Sequence, residues 1–134
     1  MTETSDFKSA VWRKLCLNSV GAINALLLKP AGVFHDETIG RLALAMAHEC
    51  LLVGRAEGAV LEDTLPDAIL ANCRAAPADS VNSLHADRAA GRQMEVDARN
   101  GAVVRFGRKH GIPTPCNEMA ATLLAACDRE NISR

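Results

Sequence analysis

Residues 39–51 of this chain read IGRLALAMAHECL. Apolar side chains stand at positions 39, 42, 43, 46, 47, 50 and 51, the i, i+3, i+4, i+7 spacing that lines one face of an α-helix. Asp36 and Glu37 come just before this stretch and supply the acidic first turn that the helix dipole favours. The apolar pattern stops near Gly58. The stretch therefore predicts an amphipathic helix that packs against a core.

A second helix is predicted ahead of this one, over residues 9–28. No proline interrupts the segment, and no charged residue follows Lys14 within it. Residues 29–32, KPAG, then supply a stop signal. The segment predicts a long, largely buried helix, with these apolar side chains directed inward: Val11, Leu15, Ile23, Leu26 and Leu27.

Four further helices are predicted from the same period and from residues that favour helix starts. Thr64 and Thr114 each stand shortly before a proline, as a capping residue does at the beginning of a helix. The predicted helices cover residues 64–76, 83–90, 95–111 and 114 onward. The last helix is expected to bury Met119, Leu123, Leu124 and Cys127. Glycine pairs four residues apart, which permit close helix packing, occur at Gly54/Gly58 and Gly107/Gly111.

The overall composition also favours helices. Alanine and leucine are abundant, aromatic residues make up 3%, and tyrosine is absent. Alanine and leucine are strong helix formers, whereas strands favour β-branched and aromatic residues. Because the length of 134 residues is close to the commonest domain size, we predict one all-α, multi-helix domain over residues 1–134.

Charge and glycine spacing argue against several classes of protein. The net charge of −1 gives no basic surface for nucleic acid or an anionic membrane, and no apolar run approaches the roughly 20 residues that cross a bilayer. No two of the nine glycines lie within two residues of each other, so the glycine-rich loop of a dinucleotide-binding fold is not predicted. Five scattered cysteines predict reduced thiols, and the acidic, polar start at residues 1–6 is unlike a secretory signal, so a cytoplasmic location is predicted.

Lys14 and Asn18 are four residues apart and therefore share one face of the predicted first helix. Small residues continue this face and let another helix or a ligand approach the backbone closely: Gly21, Ala22 and Ala25. This pattern has two interpretations. Either Lys14 is a solvated lysine beside a helix-packing surface, or the polar end of the face binds a ligand.

The remaining candidate residues are equally open when they are taken alone. Glu95 stands at a predicted helix start, where the helix dipole favours a carboxylate without any further role. Ser83 is either a helix cap or a surface hydroxyl. His48 and Cys50 are two residues apart on a helix and face different directions, and none of the four histidines has a second ligand at a metal-binding spacing. We therefore predict no metal site.

Three blocks of sequence, read together, resemble the ketopantoate reductase family. Residues 12–18, WRKLCLN, are similar to its W-x-K-L-x-x-N. Residues 82–101, NSLHADRAAGRQMEVDARNG, are similar to its S-S-x-x-x-D-x-x-x-G-R-x-T-E-I-D-x-x-N-G, and residues 110–117, HGIPTPCN, to its H-G-V-x-T-P-x-N. The blocks keep the family's order and spacing. The chain therefore resembles the helical C-terminal domain of that family, a fold like the C-terminal domain of 6-phosphogluconate dehydrogenase.

The resemblance implies the reduction of ketopantoate to pantoate by NADPH, a step of coenzyme A synthesis. It implies that Lys14 is the general acid and that Glu95 holds the lysine and the reacting oxygen in register. Asn18 would bind the distal hydroxyl of the substrate, and Ser83 its carboxylate. The family binds NADPH mainly through an N-terminal Rossmann domain, which these 134 residues lack. The chain alone is therefore expected to be inactive, and its exposed apolar surface to favour a partner domain or a homodimer.

The sequence departs from the family pattern at three positions. The second asparagine, one turn beyond Asn18, is replaced by Ala22, the threonine before the glutamate by Met94, and the serine before Ser83 by Asn82. Each lost donor would weaken recognition of a polar substrate by about 1 kcal/mol. Another 2-oxo acid is therefore an alternative substrate.

Two other functions compete with the reductase hypothesis. One is a stand-alone helical interaction or dimerisation module that keeps the fold without the chemistry. The other is a metal-binding helical protein that uses His48 and Cys50, which the missing further ligands disfavour.

Overall fold

The computed structural model describes the backbone of residues 3–133 and the side chains of residues 7–128. The first six residues, on which part of the localisation prediction depends, lie outside the side chains described. The helices are α1 (Glu3–Leu27), α2 (Glu37–Ala56), α3 (Leu65–Ala75), α4 (Ser83–Ala89), α5 (Asn100–His110) and α6 (Pro115–Ser133), with 3₁₀ turns at Ala31–His35 and Val96–Ala98. Residues 3–133 contain no strand, which confirms the all-α prediction. None of the helices described is long and apolar enough to cross a membrane.

Helix α1 is the central element and contacts α2, α4, α5 and α6. Its larger buried apolar side chains belong to one face, formed by Trp12, Cys16, Val20 and Ile23. Ile23 is inward as predicted, but Val11 and Leu27 are exposed, so that part of the prediction is wrong. Apolar residues surround most of this helix, and the pattern therefore could not select the face that packs.

Helix α2 packs on α1 with the apolar face that its spacing predicts, including Ala43, Met46, Ala47 and Cys50. Asp36 caps the start of the helix, because its carboxylate accepts the Ile39 N–H at 3.0 Å. Helix α3 also begins where predicted. However, the side chain of Thr64 forms no capping hydrogen bond there.

The predicted helix from Glu95 to Gly111 is interrupted near its start. Glu95 has left-handed backbone angles (φ 54°, ψ 47°), a 3₁₀ turn follows, and α5 begins at Asn100. The Asp128 carboxylate accepts the Met94 N–H at 3.0 Å, and the Met94 and Val96 side chains are both buried. These contacts hold the segment against the core in a shape that a helix starting at Glu95 would not allow.

Helix α6 begins at Pro115, with Thr114 at the cap position. The predicted burial of Leu124 is confirmed. The predicted burial of Met119 and Leu123 is wrong, since these two residues are 56% and 48% exposed. Asn117 and Ala120 occupy the buried face together with Leu124. The sequence pattern favoured the larger apolar residues over an asparagine, and this shifted the predicted face.

Two glycines allow close packing between elements, as predicted. A Cβ atom on Gly54 would lie 3.1 Å from the indole of Trp12, and one on Gly107 would lie 2.8 Å from the Ile112 carbonyl oxygen. The Trp12 ring also meets the edge of Phe106, with ring centroids 5.6 Å apart. These contacts bring α1, α2 and α5 together at one end of the domain.

A buried polar network joins four helices. The Asn100 amide donates to the Ser19 carbonyl at 3.2 Å and to the Asn117 Oδ1 atom at 2.9 Å. The Asn117 amide in turn donates to the Met46 carbonyl and to the Glu49 carboxylate. Glu49 also accepts the backbone N–H of Asn117 at 3.0 Å, so a residue of α2 caps the start of α6.

Candidate substrate-binding site

A cavity of about 290 Å³ opens between α1, α3, α4 and the turn Ala31–His35. This volume lies near the lower end of the range for small-molecule sites. Apolar side chains, among them Leu17, Phe34 and Leu84, form part of the wall. The wall also carries these polar residues: Asn18, Asn24, Asn72, Ser80, Asn82, Ser83 and Arg99.

Asn82 fixes the position of α4 against α1. Its Oδ1 atom accepts the His85 N–H at 2.8 Å and caps α4, which is the role that an asparagine plays readily at a helix start. Its amide nitrogen donates to the Gly21 carbonyl and to the Asn24 Oδ1 atom, both at 3.1 Å. Gly21 permits this contact, since a Cβ atom there would lie 3.0 Å from the same amide nitrogen. One side chain thus holds two walls of the cavity together.

Asn18 and Ser83, two of the four predicted site residues, line this cavity. Asn18 is half-buried on α1, whereas Ser83 is the exposed first residue of α4. Within residues 7–128, no hydrogen bond engages the Asn18 amide or the Ser83 hydroxyl. The fold therefore does not use these groups, and both are available to a ligand.

Lys14 and Glu95 do not line the cavity. Lys14 is exposed one turn before Asn18, and within the described part of the chain its ammonium group forms no ion pair. Glu95 is exposed beside the 3₁₀ turn that leads to α5. The structure thus brings together the two residues expected to bind substrate, while the two expected to act on the carbonyl lie outside the cavity lining.

Arg99 was missed from the sequence, although it lines the cavity. It lies inside the second motif block, directly before Asn100 and just ahead of α5. No local signal marks Arg99, because the family pattern leaves that position open and solvated arginines are common on helical surfaces. Among the cavity-lining residues described, Arg99 carries the only charge.

The three departures from the family pattern differ in their surroundings. Ala22 and Met94 are completely buried and do not line the cavity, so their side chains do not face a ligand there. Asn82 does line the cavity, but both ends of its amide are engaged. The substitution at Asn82 is therefore the one with a direct effect on the cavity wall.

Within the described residues, the thiol and histidine groups form no metal centre, since no group of three His, Cys, Asp or Glu side chains there is placed to hold a metal ion. His48 is exposed whereas Cys50 is buried, and burial raises the pKa of the Cys73 thiol beside the cavity. The arrangement gives the metal-binding alternative no support.

These features define a class of all-α domain in which a short helix closes a polar cavity against a central helix. The family described as "Ketopantoate reductase PanE/ApbA C terminal" matches residues 6–128. The chain belongs to this family of ketopantoate reductase C-terminal domains.

The names of similar proteins agree with this family assignment. The 2-dehydropantoate 2-reductase of Caulobacter vibrioides is 59% identical over 121 residues, which are 90% of this chain and 42% of the relative. Two solved structures are similar over 92% of this chain. The dimeric ketopantoate reductase of Staphylococcus aureus has a TM-score of 0.86 and 25% sequence identity, and the match covers 44% of its length. The PanE/ApbA family ketopantoate reductase of Ralstonia eutropha has a TM-score of 0.84 and 32% sequence identity, and the match covers 42% of its length. The chain thus spans roughly two-fifths of the length of the relatives it matches.

Proposed function

We propose that this chain is the substrate-binding and catalytic helical half of an NADPH-dependent 2-dehydropantoate 2-reductase, which reduces ketopantoate to pantoate. One observation carries the proposal. Asn18 and Ser83, which the family motifs mark as substrate-binding, line the same cavity and are not used by the fold. The name of the relative from Caulobacter vibrioides supports the same activity.

In this proposal the chain holds the substrate and supplies the proton. The Ser83 hydroxyl donates to the substrate carboxylate, and the Asn18 amide binds the distal hydroxyl. Reduction of the 2-oxo group places negative charge on its oxygen, which requires a nearby proton donor. Lys14 is that donor, since it lies on the same face of α1 as Asn18 and its ammonium group is not engaged. Glu95 holds the lysine and the reacting oxygen in register.

The residues described contain no dinucleotide-binding βαβ unit. Between residues 3 and 133 the backbone contains helices and turns but no strand, and a dinucleotide-binding βαβ unit needs strands. We therefore propose that a Rossmann domain, in the same protein or in a separate chain, binds NADPH and supplies the hydride. The single helical domain alone would then be inactive. Homodimer formation and a cytoplasmic location remain predictions.

Turnover by this chain together with a nucleotide-binding domain tests the proposal. That domain can be its natural one or the corresponding part of the Caulobacter vibrioides relative. Lys14→Ala should lower kcat for ketopantoate by about 10²- to 10⁴-fold, the usual contribution of a general acid, while the circular dichroism spectrum is unchanged. Lys29→Ala, which removes an exposed lysine just beyond the other end of α1, serves as the control. Equal kcat values for Lys14→Ala and wild type would exclude the assignment of Lys14.

A different 2-oxo acid is the second candidate substrate. Asn82 replaces the family's serine in the cavity wall, and its amide is committed to α1 and α4. This observation favours a substrate that differs from ketopantoate in the part that contacts α4. A panel of 2-oxo acids with different side chains, compared by kcat/KM, separates the candidates. The absence of turnover with every member would favour the alternative of a non-catalytic interaction module.

A further inference from the structure

The charge of the cavity lining is unbalanced. Asn, Ser and Cys side chains supply its other polar groups, and within the described residues no Asp, Glu or Lys side chain lines it. Arg99 therefore gives the cavity a net positive charge. A cation in a partly apolar, concave site attracts a small anion more strongly than an exposed cation does.

Arg99 also differs from most other arginines of the chain. The guanidinium groups of Arg13, Arg55, Arg74, Arg88, Arg92 and Arg108 all donate hydrogen bonds to protein acceptors. Within residues 7–128, the Arg99 guanidinium has no such bond and no ion pair. Its five donors are thus available to a ligand.

The backbone at Arg99 is held in place next to the helix that carries Asn18. The Arg99 N–H donates to the Val96 carbonyl at 3.0 Å, and its own carbonyl accepts the Ala102 N–H at 3.0 Å. The adjacent Asn100 donates to the carbonyl of Ser19, the residue that follows Asn18. The same buried contact therefore fixes where Arg99 and Asn18 stand relative to each other.

We propose that Arg99 binds the carboxylate of the substrate in this cavity, together with the Ser83 hydroxyl, and so selects 2-oxo acids over their neutral derivatives. The proposal rests on the proposed function for the identity of the acid, and it adds a specificity-determining residue to that function. A guanidinium group can donate two parallel hydrogen bonds to one carboxylate, which a serine hydroxyl alone cannot do.

Turnover in the reductase that contains this chain is the first test. Arg99→Met should raise KM for ketopantoate by about ten- to a hundredfold, the range for removal of a charge-assisted hydrogen bond, and change kcat by less than about threefold. Arg99→Lys should recover part of the loss because it keeps the charge. Ketopantolactone, in which the carboxylate and the distal hydroxyl have closed into an internal ester, should show little change in kcat/KM between wild type and Arg99→Met.

Arg41→Met is the matched control, since Arg41 is exposed on α2 and lies outside the cavity. It should leave KM for ketopantoate as in wild type. An unchanged KM in Arg99→Met would overturn the proposal, as would an equal loss for the acid and the lactone. If Arg99→Met does not fold, Arg99→Gln keeps a polar side chain without the charge and replaces it in every measurement.

Binding to the chain itself separates this proposal from the reductase proposal. Ketopantoate should shift the side-chain amide resonances of Asn18 in ¹H–¹⁵N spectra of the wild type and of Arg41→Met, but not of Arg99→Met. Binding that depends on Arg99 would support the carboxylate site even if the chain combined with a nucleotide-binding domain has no reductase activity. That result would contradict the proposed function alone. If ketopantoate binds Arg99→Met and wild type equally, or binds neither, the carboxylate site is wrong whatever the turnover.

Discussion

Asn100 and Asn117 belong to two different motif blocks and meet in the core. Their amides join carbonyl groups of α1 and α2 and the carboxylate of Glu49. Both side chains are completely buried, so neither reaches the cavity as a ligand group. These two motif residues therefore stabilise the packing of the helices. They affect the cavity only indirectly, because they fix the positions of the residues beside them.

The Asn117 network should contribute strongly to stability. Asn117→Ala removes the buried hydrogen bonds to the Met46 carbonyl and the Glu49 carboxylate and leaves the Asn100 amide without its Asn117 acceptor, and we expect the free energy of unfolding to fall by about 2–3 kcal/mol. Thr122→Ala, at an exposed position on the same helix, should change it by less than about 0.5 kcal/mol. Urea denaturation measures both values. Equal effects of the two substitutions would show that the network is not a main source of stability.

The candidate site was only partly predictable at the residue scale. Asn18 and Ser83 follow from motif positions, and the structure brings them into one cavity. Arg99 could not be selected, because nothing local distinguishes it from the many solvated arginines of a helical surface. Its surroundings depend on a turn at Glu95 that long-range contacts impose, in particular the hydrogen bond between the Met94 N–H and the Asp128 carboxylate, 34 residues apart in the chain.

The helix starts show where capping signals in the sequence succeed and where they fail. Asp36 precedes α2 with an extended backbone, and its carboxylate reaches the Ile39 N–H. Thr64 precedes α3 with helical backbone angles (φ −82°, ψ −3°), and its side chain forms no capping bond. The two positions look alike in the sequence, but only an extended cap residue directs its side chain back to the free N–H groups.

This difference predicts unequal effects of alanine at the two caps. Asp36→Ala should lower the free energy of unfolding by about 1 kcal/mol, since it removes a real cap at the positive end of a helix. Thr64→Ala should change it by less than about 0.5 kcal/mol. Thermal or urea denaturation of the two variants provides the comparison. A loss at Thr64 as large as that at Asp36 would contradict the assignment of the caps.

Prediction of whole helices was more successful than prediction of their buried faces. The existence of each helix follows from local periodicity and from proline and glycine positions, which are properties of the segment itself. The buried face depends on partners. Asn117 takes an inward position on α6 because Asn100 and Glu49 satisfy its amide, and Met119 and Leu123 are therefore left on the surface.

At the scale of the molecule, Glu57 ties the ends of two helices together. It follows the end of α2, and its carboxylate contacts the His110 Nε2 atom at 2.5 Å and the Lys109 ammonium at 2.9 Å at the end of α5. The Lys8 ammonium on α1 donates to the Glu57 carbonyl at 2.9 Å. The hydrogen bonds from His110 and then Lys109 lower the pKa of the Glu57 carboxyl group.

Stability should therefore fall on acidification partly through Glu57. A carboxyl group with a lowered pKa in the folded state contributes stability above its ordinary pKa and loses that contribution as the pH falls through the lowered value. At about pH 5.5, Glu57→Gln should be less stable than wild type, because it loses the charge that His110 and Lys109 contact. The loss should be only about 1 kcal/mol, because the lysine partner is largely exposed to solvent and its charge is screened.

As the pH falls through the lowered pKa of Glu57, the difference between Glu57→Gln and wild type should close, since the wild-type carboxyl group is then protonated as well. Urea denaturation at about pH 5.5 and at the most acidic pH at which wild type still folds measures this change. Glu118→Gln, at an exposed ion pair with Arg108, is the matched control and should show a smaller difference at both values. A gap between Glu57→Gln and wild type that stays constant with pH would contradict the role of this carboxylate.

The position of Trp12 has a practical consequence for spectroscopy. The chain has one tryptophan and no tyrosine, so its intrinsic fluorescence arises from one indole. That indole is buried between Gly54 and Phe106 and does not line the cavity. Unfolding should therefore move the emission to longer wavelength, whereas a ligand that enters the cavity should leave it nearly unchanged. Titrations with substrate then need another signal, and fluorescence reports folding without interference from binding.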